Sequence, residues 1–117
     1  YLALSEALAS DNFEAANKSF LELKEASKNE QLAEISGTYA EDLKDISEAR
    51  NAFGAISTIL VPIFQNYTLP SELKVSKVHC PMALDEKGAF WLQLGKDVRN
   101  PYFGATMLAC GSIEEEF

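Results

Sequence analysis

The chain holds two cysteines and two methionines, and they fall into two short pairs. Cys80 and Met82 lie two apart in His79-Cys80-Pro81-Met82. Met107 and Cys110 lie three apart in Met107-Leu108-Ala109-Cys110-Gly111. Residues two apart in an extended segment point to the same side, as do residues three apart in a helical turn. Each pair can therefore present a thiol and a thioether together. If the two segments meet, four sulfur atoms converge, with His79, the single histidine, beside them. Thiolate and thioether are soft ligands that suit Cu(I) and, by the same softness, Ag(I). Zinc prefers Cys, His and carboxylate without thioether, and the spacing is not that of a zinc finger.

The same residues have plainer readings. Methionine is commonly a core filler. Cys80 and Cys110 can form one disulfide or remain thiols, and on residue types alone these readings stand ahead of a metal site. A histidine beside an apolar strand is more often structural than a ligand. Catalysis is not expected. The chain has no Gly-rich phosphate loop, no nucleophile elbow and no Cys-x-x-Cys redox motif. Its many carboxylates read as solvated helix faces.

Composition narrows the partners. Eighteen acidic residues against ten basic ones give a net charge of −8, which repels phosphate backbones and anionic lipid. No nucleic-acid partner is expected. The longest apolar stretch, Ala55 to Phe64, is interrupted by Ser57, Thr58 and Pro62, so no membrane span is expected. A chain of 117 residues with 47% hydrophobic content suits one domain with one core. Tyr1 in place of an initiating Met reads as a processed or excised chain.

The elements that must position the sulfur pairs are mostly helical in pattern. Tyr1, Leu4 and Leu8 share one helical face. Asp11-Asn12-Phe13-Glu14 fits a capping box, with Asp11 accepting a backbone N–H and Glu14 reaching back. It opens a second helix whose buried face is Phe13, Ala16, Phe20 and Leu23. Leu32, Ile35, Tyr39, Leu43 and Ile46 mark a third. Asp45-Ile46-Ser47-Glu48 caps a fourth, with Ala49, Phe53, Ile56, Leu60 and Ile63 on one stripe and Pro62 kinking or ending it. Arg50 lies one position from that stripe, either on the surface or paired with a carboxylate.

These spacings predict an up-and-down four-helix bundle over residues 1–67. Residues 68–117 then form a small C-terminal lobe that packs on the bundle, mainly α overall and one compact domain. Thr68-Leu69-Pro70-Ser71 reads as its linker. Leu73, Val75 and Val78 mark one strand and Ala89 to Leu94 a second, joined through Asp85-Glu86-Lys87-Gly88 as a β-hairpin. Trp91 is expected to pack the lobe onto the bundle. Asn100-Pro101-Tyr102-Phe103-Gly104 reads as a turn, and Ala105 to Phe117 as a short tail.

The residues His79-Cys80-Pro81-Met82-Ala83, Gly88, Trp91-Leu92, Asn100-Pro101-Tyr102-Phe103-Gly104, Met107 and Cys110-Gly111 together resemble the signature of a bacterial family of unknown function. That family occurs as free-standing exported proteins, many from Bacteroidetes. It also occurs as a C-terminal extension of membrane-fusion adaptors in Cus-type copper/silver efflux pumps. Upstream, Tyr1, Ala7-Leu8, Ser10-Asp11, Ile46, Arg50, Phe53 and Ser57 match it in style. The resemblance implies a periplasmic or cell-envelope location, heavy-metal handling and an efflux-system partner. Carried onto this chain, the implied soft ligands are Cys80, Met82, Met107 and Cys110. An aromatic residue often precedes Cys-Pro-Met in the family, whereas this chain has His79, a departure that adds a ligand or nothing. The expected function is soft-metal binding with Cu(I) or Ag(I) as the bound ion. The alternative is a structural or protein-interaction domain closed by a Cys80–Cys110 disulfide.

Overall fold

Three helices and three strands, in a computed structural model that describes residues 1–26, 44–65 and 74–117, carry the fold. Helix α1, Leu2–Ala9, places Leu4 and Leu8 at full burial, and Ser5, Ala7 and Ala9 are buried as well. A helix buried on so much of its circumference is a plug in the core rather than one wall of a bundle. Helix α2, Phe13–Ala26, buries Ala16 and Phe20, with Phe13 and Leu23 packed against the same core. Its cap is Asn12, whose side-chain oxygen accepts the Ala15 N–H at 3.0 Å. Asp11, expected to be the cap, instead takes a left-handed backbone (φ 56°) and turns its carboxylate elsewhere.

Helix α3, Ile46–Gln65, starts as its sequence predicts. Asp45 accepts the Glu48 N–H at 2.9 Å, and the Glu48 carboxylate accepts the Lys44 N–H at 2.7 Å. Ala49, Phe53 and Ile56 are fully buried. Pro62 lies inside the helix, which runs on to Gln65. The third helix expected around Leu32 to Leu43, the linker at 68–71 and Leu73 lie outside the described residues. No helix among the described residues is long and apolar enough to cross a membrane.

Strands β1 (Val75–Cys80), β2 (Ala89–Leu94) and β3 (Ser112–Glu116) form one antiparallel sheet in the order β2-β1-β3. The expected hairpin is β1–β2, with Val78 opposite Trp91 and Cys80 opposite Ala89. The segment read as a short tail is in fact the third strand, paired to the other side of β1 with a register shift between Lys77 and Val78. Its sequence, Ser-Ile-Glu-Glu-Glu, has no apolar alternation to announce it.

The architecture is therefore not an up-and-down four-helix bundle followed by a hairpin lobe. Leu4, Leu8, Phe20, Phe53 and Ile56 share a single core with Val78, Cys80, Trp91 and Tyr102. The reason lies in β2. Ala89 and Trp91 are buried on one face of the strand and Leu92 on the other. Trp91 and Leu92 each need cover on their own face, so the helical stripes close on the sheet as well as on one another.

Within the described residues β2 is an edge strand, and two of its outward backbone groups are paired with tyrosine hydroxyls. Leu92 N–H donates to the Tyr1 hydroxyl at 3.2 Å, and the Tyr102 hydroxyl donates to the Phe90 carbonyl at 2.7 Å. Ser57 Oγ of α3 meets the Tyr1 hydroxyl at 2.6 Å. The rings run as a chain from Tyr1 to Phe53 (centroids 5.0 Å apart), to Tyr102 (5.4 Å) and to Trp91 (5.9 Å, edge-on). Burial pushes both phenols above their ordinary pKa.

A second tie joins the two ends of the chain. Arg50 Nε donates to the Pro101 carbonyl at 2.9 Å, and Nη2 donates to the Leu8 carbonyl at 3.0 Å and to Asp11 Oδ1 at 2.7 Å. Asp11 Oδ2 accepts the Ala105 N–H at 2.9 Å. A Cβ at Gly104 (φ +60°) would run into the Asp11 carboxylate. Arg50 is thus paired with a carboxylate, the second of its two expected states.

Two outcomes follow. Tyr102→Phe removes the partner of a shielded carbonyl and should lower unfolding free energy by about 1–3 kcal/mol in a urea melt. The Ala105 N–H and Arg50 hold the Asp11 carboxyl below its ordinary value of 3.8, and Arg99 holds that of Glu6 below 4.5. The stability each adds is present above those values and is lost as pH falls through the lower folded ones. Asp11→Asn should therefore flatten the acid limb of a stability–pH curve, measured by denaturant midpoints.

Candidate functional site

The two cysteines arrive at one place from very different local structures. Cys80 ends β1 on the same face as Val78 and is fully buried. Cys110 lies near the end of the loop between β2 and β3, which is organised from Asn100. That side chain is fully buried. Its Oδ1 accepts the Tyr102 N–H (2.8 Å) and the Phe103 N–H (3.2 Å), and its Nδ2 donates to the Cys110 carbonyl at 2.8 Å. The Asn100 N–H donates to the Leu108 carbonyl at 2.7 Å, and the Cys110 N–H to the Met107 carbonyl at 3.0 Å. Gly111, at φ +148°, then lets the chain pass over Trp91. A Cβ there would lie 2.9 Å from Trp91 Cη2 and 3.1 Å from Val78 Cγ1.

The outcome is a Sγ–Sγ separation of 2.9 Å between Cys80 and Cys110, longer than a disulfide bond. Cys80 is enclosed and Cys110 is half-buried, so one sulfur of the pair reaches toward solvent. The hydrogen bond to the Cys80 sulfur, then burial, pushes the Cys110 thiol above its ordinary pKa.

The other candidates stand differently. Met107 is half-buried in the hydrogen-bonded turn that ends at Cys110. Met82 is 45% exposed, two residues after Cys80 and just ahead of the short turn Ala83–Glu86. In that turn Leu84, Asp85 and Glu86 all have positive φ. Leu84 sits against a notch at Gly54 of α3, where a Cβ would lie 2.8 Å from Leu84 Cδ1.

His79 is not brought to the thiols. Strand alternation turns it to the face opposite Cys80. There its ring lies 4.5 Å from that of Phe90, with Nδ1 4.0 Å from Glu114 Oε1. Lys77 Nζ stands 4.5 Å above the same Phe90 ring.

Among the described residues, no three His, Cys, Asp or Glu side chains gather in a way that could hold a metal ion. A four-coordinate zinc site of those donors is not assembled there. Beside the two cysteine sulfurs the chain sets one methionine in the turn of Cys110 and another just beyond Cys80. A groove of about 280 Å³ lies between α3 and the hairpin, lined among others by Ser57, Thr58, Gln65, Lys77 and Phe90. Neither cysteine lines it, and its Ser57, Thr58 and Gln65 side chains already bond Tyr1, the Gly54 carbonyl and Glu115.

From sequence Asn100 reads as part of a turn and of the resembling stretch, with no sign of its hold on Cys110. Its place before a proline signalled the turn, but nothing local signalled full burial. Gly111→Ala should lower stability by about 1–3 kcal/mol in a denaturant melt, through crowding against Trp91 and the loss of a glycine backbone. Comparison of the chain with protein-family models, curated proteins and solved structures found no match.

Proposed function

We propose that this domain binds a soft monovalent cation, Cu(I) or Ag(I), through Cys80 and Cys110, and serves heavy-metal efflux or resistance by binding rather than by catalysis. The observation that carries the reading is the meeting of two sulfurs thirty residues apart in the chain, at 2.9 Å. Two thiols suit a soft cation that accepts few ligands, and the thioethers of Met107 and Met82 lie within three residues of them along the chain. The half-buried Cys110 is the point of entry, and the enclosed Cys80 is the ligand that the core holds still. Binding releases thiol protons, so affinity falls as pH falls. His79 takes no part, because it occupies the other face of the sheet. The periplasmic or envelope location and an efflux-system partner rest on the family resemblance alone.

The sulfur contact also favours a second reading, a structural or protein-interaction domain closed by a Cys80–Cys110 disulfide. Closing a loop of this size stabilises a fold by about 3–4 kcal/mol in the chain-entropy account.

One titration separates the two. The reduced protein, held anaerobically, competes for Cu(I) with a coloured chelator. Wild type should take one equivalent, Cys110→Ser should take none tightly, Met107→Leu should bind about tenfold more weakly, and His79→Ala should match wild type. If the reduced wild type does not compete, the metal reading fails. Loss of both free thiols in air, with a rise in melting temperature, would then establish the disulfide-closed domain.

A further inference from the structure

We infer that Asn100 is the positioning residue of the thiol pair, holding Cys110 Sγ against Cys80 Sγ through the Cys110 carbonyl. The inference rests on the two cysteines being the functional site. Cys80 needs no such help, because it belongs to the β1 ladder and the core. Cys110 belongs to no strand, and lies between the 3-10 turn Gly104–Thr106 and β3. Its N–H is used locally on Met107, while its carbonyl is taken by Asn100 Nδ2 at 2.8 Å.

Asn100 is itself firmly held. It is fully buried, its Oδ1 receives the N–H groups of Tyr102 and Phe103, and its own N–H reaches the Leu108 carbonyl. One buried amide thus ties the turn at 100–103 to the segment at 108–110. The site demands an acceptor and a donor from one short side chain. Asn supplies both, whereas Asp at neutral pH supplies acceptors only.

The test needs no metal, so its failure and the failure of the metal reading are distinct. The protein is equilibrated with reduced and oxidised glutathione under nitrogen. One cysteine thiolate attacks oxidised glutathione and releases one glutathione thiolate. The other cysteine thiolate then displaces the second glutathione from the mixed disulfide. The ratio of bridged to dithiol protein reads the effective molarity of Cys110 toward Cys80. Asn100→Asp keeps the acceptor to Tyr102 and Phe103 and loses the donor. It should lower that effective molarity about tenfold, the worth of one hydrogen bond to a shielded carbonyl. Asn100→Ser holds its one donor a bond short of the amide nitrogen's reach to the Cys110 carbonyl and reads the same bond if the Asp variant does not fold. Ile56→Val, a core change away from the loop, should lower stability and leave the effective molarity unmoved. An effective molarity within about twofold of wild type in the folded Asn100 variant, or an equal fall in Ile56→Val, overturns the inference.

Discussion

Strand β2 has no neighbouring strand on its outer side among the described residues, and its Leu92 N–H and Phe90 carbonyl turn toward the helices. An unpaired backbone group shut away from water costs about as much as a lost hydrogen bond. The hydroxyls of Tyr1 and Tyr102 remove that cost from two directions. Because those tyrosines also stack in sequence with Phe53 and Trp91, the seal on the strand and the packing of the core are one structure. Ser57 completes it by fixing the Tyr1 hydroxyl to α3.

The candidate site inherits its order from that seal. Trp91 and Val78 form the floor over which Gly111 passes, and Tyr102 is the residue whose N–H anchors Asn100. Arg50 fixes the other end of the same loop through the Pro101 carbonyl, and Asp11 fixes it again at Ala105. The loop that carries Cys110 is thus tied to α1, α3 and β2 before it reaches Cys80. The two sulfurs are thus brought together by contacts that lie largely outside their own segments.

The two faces of the sheet have separate chemistry. One carries Val78, Cys80 and Trp91 into the core. The other carries Lys77, His79 and Phe90, with Glu114 nearby, in a cluster of charged and aromatic contacts. His79 and Cys80 are adjacent in the chain, and a strand sends adjacent side chains to opposite faces. His79, next to Cys80 in sequence, thus has its ring on the other face of the sheet.

Much of the local structure is legible in the residues. The stripe Ala49-Phe53-Ile56, the cap at Asp45 and the hairpin strand Ala89–Leu94 follow from periodicities that need no distant partner. The pairing of Cys with Met in two short segments likewise marks where soft chemistry could arise. What covers each stripe was decided only in three dimensions. Asp11 left its expected helix cap for Arg50, Asn12 took the cap, and Ser112–Glu116 became a strand without an apolar pattern of its own. The meeting of Cys80 with Cys110 depended on a buried Asn100 and a glycine crossing Trp91. Local periodicity sets which side of an element is apolar. Which distant surface satisfies that side, and which backbone groups remain to be paired, is settled only when the elements close on one another.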